Sequence, residues 1–88
     1  MAISKVYSVR DSKLEAFMPP FFMLTRGQAI RAFVDTLSDS GSVLAKHPED
    51  YTLFELGSFD DIQGRFDMLD VPYSLGSAAE LLDRAQAA

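Results

Sequence analysis

The chain has no cysteine, no tryptophan and a single histidine in 88 residues, and each shortage closes off a kind of chemistry. Without cysteine there is no disulfide framework and no thiolate metal site, which fits a reducing compartment. The one histidine, His47, argues against a Ser-His-Asp constellation. Beside Glu49 and Asp50 it offers metal-binding atoms, but zinc sites draw three or four ligands from paired spacings, and His47-Pro48-Glu49-Asp50 reads as turn chemistry. The pairs Glu49-Asp50 and Asp60-Asp61 lack the spacing of a calcium loop and read as solvated loop charge. Five scattered glycines form no phosphate-cradling loop. Long apolar runs are also missing: Ala16 to Leu24 spans nine residues and contains two prolines, far too short and broken to cross a bilayer. Met1 to Arg10 has no apolar core of a secretory signal. These exclusions lead us to expect a soluble, intracellular, non-enzymatic binding protein with no cofactor, no metal and no membrane association.

Eighty-eight residues of which 48% are hydrophobic support one domain over 1–88. Seven Phe and three Tyr supply much of its core. The net charge of −5 is unevenly spread. Residues 1–46 hold six cations against four carboxylates, a balance of +2; residues 47–88 hold two cations against nine carboxylates, a balance of −7. Such asymmetry suggests a mildly basic face and a strongly acidic one, against the alternative of an ordinary solvated surface.

Ile3 to Arg10 is β-branched and aromatic and reads as a strand, with Ile3, Lys5, Tyr7 and Val9 on one face. Asp11-Ser12-Lys13 reads as a turn. Pro19-Pro20 forces an extended entry into a second strand, Phe21 to Leu24, whose adjacent phenylalanines point one to each face. Thr25 and Gln28 have the spacing of a capping box, and Ile30, Phe33, Val34 and Leu37 make the apolar stripe of a first helix that ends at Asp39-Ser40-Gly41-Ser42. A connection over Val43 to Asp50 leads to a strand, Tyr51 to Ser58. There Tyr51, Leu53 and Glu55 alternate with Thr52, Phe54 and Leu56. A turn over Asp60 to Gly64 returns the chain through Arg65 to Leu69 as a hairpin. Ser77 caps a last helix, Ala78 to Ala87, expected to dock loosely beyond a compact core at about 3–69, with 77–88 as its helical tail. The fold class is α+β: a four-stranded, largely antiparallel sheet in the order β-β-α-β-β-α with helices on one face. A face carrying Tyr7, Tyr51 and Leu53 left open to water predicts a homodimer or higher oligomer. Lys5 and Tyr7 share a strand face and Arg10 and Lys13 follow, an interleaving of aromatic and basic residues that suits single-stranded nucleic acid, a surface strand or a subunit interface.

Four segments carry a resemblance. Tyr7-Ser8-Val9-Arg10-Asp11-Ser12-Lys13, Pro19-Pro20-Phe21-Phe22, Gly27-Gln28-Ala29-Ile30-Arg31-Ala32-Phe33 and the long run from Lys46 through His47-Pro48-Glu49-Asp50 to Asp61 together resemble the small nonstructural protein of gokushoviruses, single-stranded-DNA bacteriophages of the Microviridae. The likeness covers about residues 3–66. It implies a protein made in the host bacterial cytoplasm and absent from the virion, without catalytic residues. It also implies DNA binding during the switch from genome replication to single-strand synthesis and packaging. On that reading Lys5, Tyr7, Arg10, Lys13, Arg26 and Arg31 hold single-stranded DNA, or the DNA–replication-protein complex, with Arg26 joining the amides that open the first helix at a phosphate. The alternative is a protein–protein adaptor or assembly factor that touches no DNA, its acidic half docking on a phage or host replication or capsid protein.

Overall fold

The computed structural model describes residues 3–39 and 41–87. β-branched and aromatic side chains extend Ile3–Asp11 as strand β1, and Asp11 then turns the chain by accepting the Lys13 and Leu14 amides at 2.9 and 3.3 Å. The chain returns antiparallel as the two-residue β2, Ala16–Phe17. After Pro19-Pro20 it rejoins the same edge of β1 as β3, Phe21–Met23. The nine-residue apolar run is therefore two short strands with a proline break between them.

Helix α1, Arg26–Leu37, starts where the capping residues predict. The Gln28 amide donates to Thr25 Oγ1 at 3.2 Å, and the Gln28 side chain reaches back to accept the Leu24 amide at 3.0 Å. The helix closes at Ser38, whose amide bonds Val34 and Asp35 carbonyls. Ser40, part of the turn expected there, lies outside the described residues. The segment read as a plain connection holds a one-turn helix α2, Val43–Lys46, capped by Ser42, and a 3-10 turn, Pro48–Asp50. Strand β4, Tyr51–Asp60, pairs β1 along its length, and β5, Arg65–Ser77, pairs β4. Between them Gly64 takes φ 67° and its amide donates to the Asp60 carbonyl at 2.8 Å, a left-handed geometry that glycine adopts without a Cβ penalty. Helix α3, Ala78–Ala87, opens with a reciprocal capping box: the Glu80 amide donates to Ser77 Oγ at 3.1 Å and Glu80 Oε1 accepts the Ser77 amide at 2.9 Å.

The result is an α+β fold on a curled antiparallel sheet with path β2-β1-β4-β5 and β3 beside β2 on β1. It has one strand more than the four expected, and β5 runs eight residues past Leu69. Its register breaks once between β1 and β4 and twice between β4 and β5, where Leu75 is passed over between Ser74 and Gly76 as well. Val6 faces Gly57 and Tyr7 faces Glu55, so Leu56 bulges out of β4; residues 69–72 of β5, including Pro72, bulge past the same point.

Tyr7, Val9, Tyr51 and Leu53 of the sheet meet Ala29, Phe33 and Leu37 of α1, Leu44 of α2, and Ala78 and Leu81 of α3 in one buried core. Three expectations are corrected here. Tyr7, Tyr51 and Leu53 form the floor of the core, at 0, 8 and 0% exposure, so the motive for a dimer through them disappears. Alternation in β4 separates two apolar sets without saying which set the helices cover. Helix α3 is also no loose tail, because Ala78 and Leu81 are 0 and 2% exposed against α1 and the sheet. The stripe of α1 is turned from the expected one as well: Ala29, Phe33 and Leu37 point inward, while Ile30 and Val34 are half-buried flanks.

Candidate nucleic-acid interface

Of the six residues expected to hold DNA, three converge at one point, and a fourth residue consumes them. Glu55 sits on the core face of β4, 4% exposed. Its Oε1 accepts a hydrogen bond from Arg26 Nε at 2.6 Å and its Oε2 lies 3.9 Å from Lys5 Nζ. A buried carboxylate is costly to desolvate, and two cations from β1 and the start of α1 compensate it. The Arg26 guanidinium also lies 4.5 Å from the ring centre of Tyr73 on β5, so it ties α1, β4 and β5 together. The bond from Glu55 raises the Arg26 pKa further. Lys5 and Arg26 are thus partners of Glu55 before they can be partners of a phosphate.

Tyr7 lies in the same place and is wholly buried, so its ring is not offered to a base. It packs instead on Phe21 with ring centres 5.9 Å apart. Its hydroxyl has no hydrogen-bond partner among the described residues. Burial, then the nearby Glu55 charge, raise its pKa, with Arg26 pulling the other way. The expected stacking role of Tyr7 is corrected on this ground: the face it shares with Lys5 is the one the helices cover.

The remaining three cations lie apart. Arg31 is exposed on α1, on the helix side of the sheet. Arg10 points to the opposite face, directly across from Phe17 of β2 and Thr52 of β4. Phe17 is 42% exposed, and its ring meets Phe54 edge-on with centres 5.4 Å apart. Lys13 stands exposed in the adjoining β1–β2 turn. This corner, with one half-buried arginine, one exposed lysine and two aromatic rings, is the grouping of cation and π-surface that single strands require. Phe17 and Phe54 were not singled out from the sequence. The signal was present in the alternation of Thr52, Phe54 and Leu56, which leaves the face undecided.

Two other features complete the candidate sites. His47, Glu49 and Asp50 bring ligand atoms within 4.8 Å of one another at the 3-10 turn, with His47 and Glu49 exposed. A cleft of about 380 Å³ between the Met18–Met23 segment and α1 is lined by Val9, Phe21, Phe33 and Leu44 among others, with no ionisable side chain in its wall.

No curated protein and no solved structure matches the chain. A family model described as phage ORF5 protein matches residues 4–81, from β1 into α3, and over that span the chain belongs to the phage ORF5 protein family.

Proposed function

We propose that the protein is a non-enzymatic phage accessory protein of the gokushovirus type, acting in the host bacterial cytoplasm. It binds single-stranded DNA, alone or within a replication complex, during the switch from genome replication to single-strand synthesis and packaging. The observation that carries the reading is the placement of Arg10 beside Phe17 and Phe54 on the sheet face away from the helices, with Lys13 in the next turn. A backbone phosphate pairs with Arg10 and Lys13 while a base stacks on Phe17. The Asp11 carboxylate competes little, because it already accepts two amides of its own turn.

The test is a fluorescence-anisotropy titration of a mixed-sequence oligonucleotide at two salt concentrations. Each phosphate contact contributes roughly −0.7 to the slope of log K against log salt, so Arg10→Ala with Lys13→Ala flattens the slope by about 1.4. Phe17→Ala weakens binding by about 1–3 kcal/mol at unchanged slope. Absence of binding by the wild type at low salt refutes the proposal.

A further inference from the structure

Strand β5 ends the sheet, so the side of Arg65–Ser77 turned away from β4 meets no other strand among the described residues. Alternate amides and carbonyls along such a side point outward, the arrangement that recruits a further strand. The usable edge is short. Residues 69–72 bulge and Pro72 has no N–H to give, so the regular stretch is Arg65 to Met68, and each of its residues is exposed.

This stretch is complementary to its own reverse. Register with β4 puts Arg65 opposite Asp60 and Asp67 opposite Ser58, on the side of the sheet that carries Lys5, and puts Phe66 opposite Phe59 on the other side. A cation and a carboxylate therefore flank Phe66 on one face, and neither makes an ion pair among the described residues. When two copies of a strand pair antiparallel about a two-fold axis, residues directly opposite must share a face. The axis then passes through a residue. Centring it on Arg65 or on Asp67 sets like charges against each other, and centring it on Met68 leaves almost no regular pairing. Centring it on Phe66 sets Arg65 against Asp67 on both sides of the axis, with the two Phe66 rings meeting on the other face.

We infer that the protein associates with a second copy of itself through the Arg65–Met68 edge of β5, joining two sheets into one. Opposite charges directly across an antiparallel pair attract, and aromatic residues across strands pack together. The Phe66 ring is 58% exposed and stands beside Phe22 and Phe59, with centres 6.3 and 4.8 Å away. A ring from the second copy extends this aromatic row where water would otherwise lie. The association stops at two copies, because the opposite edge is made of β2 and β3, two and three residues long with Pro19-Pro20 between them. So short a pairing buries less than the roughly 800 Å² per partner of a standard interface, which makes the dimer weak and dependent on concentration. It does not depend on DNA binding at Arg10, Phe17 and Phe54, at the other end of the sheet.

The experiment is sedimentation velocity of the full chain from about 10 µM to 1 mM, with amide NMR over the same range. The wild type is expected to pass from monomer to dimer within the series, and dilution to move the amides of residues 64–68. Arg65→Asp surrounds the axis with carboxylates and Asp67→Arg surrounds it with cations, so each variant alone associates about tenfold or more weakly. An equimolar mixture of the two variants regains the dimer, because every charge pair across the axis is then of opposite sign, and a chain carrying both substitutions regains it as well. Rescue on mixing separates loss of pairing from loss of folding, which the amide spectrum of each variant also checks. A monomer at every concentration, dilution shifts mapping away from residues 64–68, single variants that associate as the wild type does, or a mixture that stays monomeric would each overturn the inference.

Discussion

Replacing Tyr7 by Phe is expected to stabilise the protein. The substitution keeps the ring, which is fully buried and packs on Phe21, and removes one atom, the hydroxyl oxygen, which finds no hydrogen-bond partner among the described residues. Leaving a buried hydroxyl unsatisfied costs about 1–3 kcal/mol relative to water, and its removal recovers most of that. A gain of about 1 kcal/mol corresponds to a rise of about 4–8 °C in Tm for a domain of this size. The control is Tyr51→Phe. The Tyr51 hydroxyl neighbours Asp11 and Asp50, so its loss is expected to cost about 0.5–1.5 kcal/mol. The alkaline limb adds a second readout. Burial raises the Tyr7 pKa above 10 in the folded state, so the unfolded chain gives up this proton first. Its contribution is therefore complete below about pH 10 and is lost as pH climbs from there toward the folded value. Tyr7→Phe flattens this fall, while Tyr51, also raised by burial, keeps its share. Urea unfolding at pH 7 and at a series of values above pH 9 measures both. A loss of more than about 1 kcal/mol in Tyr7→Phe at pH 7 would refute the reasoning, because it would mean the hydroxyl is satisfied.

Other perturbations test the remaining structure. Phe33→Ala and Leu81→Ala each remove a core side chain under 4% exposed and should cost about 3–5 and 2–5 kcal/mol; deletion of residues 78–88 should cost at least as much as Leu81→Ala, and a small effect in urea unfolding would return α3 to the status of a tail. Gly57→Ala would place a Cβ 2.5 Å from the Asp67 carbonyl oxygen and 2.7 Å from Met68 Cα, so β4 and β5 must separate at the bulge. It should cost about 1–3 kcal/mol and speed amide exchange in that hairpin. Lys5→Ala should cost less than about 1 kcal/mol, its ammonium being 3.9 Å from Glu55 and 44% exposed. Arg26→Ala should cost more, about 1–3 kcal/mol, because it leaves the buried carboxylate without its short bond. Equal costs for the two would argue that Glu55 is not held mainly by Arg26.

Local chemistry made much of the fold legible. Thr25 and Gln28, Ser77, and the Asp60-to-Gly64 turn each act through side chains a few residues apart, and each forms where its spacing indicates. What did not follow from the sequence depends on contacts between distant segments. β2 is two residues long and exists because Phe17 and Ala16 find Arg10 and Asp11, a pairing no local pattern announces. Leu56 and residues 69–72 interrupt the alternation of β4 and β5 at one level, so the sequence pattern ends at Leu69 while the strand goes on. The side of the sheet was undetermined for a related reason. Both faces of β1 and β4 carry large apolar residues, and only the position of Ala29, Phe33 and Leu37 selects Tyr7 and Leu53 as the floor.

The candidate site was misplaced by the same ambiguity, and Glu55 shows how. Glu55 alternates with Tyr51 and Leu53, so whichever way that set points, a carboxylate points with it. Had the set faced water, Glu55 would have been one surface carboxylate among thirteen and Lys5, Tyr7 and Arg26 would have formed an open basic patch. Because the set faces the helices, the carboxylate is buried, and its desolvation recruits the nearest cations on β1 and α1. Two of the six cations in the N-terminal half are thereby neutralised, and the excess of +2 counted along the sequence is not an excess available to a phosphate. Of the others, Arg10 lies across from Phe17 on the reverse of the sheet, and Lys13 stands exposed in the turn that follows β1. One face of the sheet thus carries two aromatic groups, Phe17 with Phe54 beside Arg10 at one end and Phe22, Phe59 and Phe66 at the other.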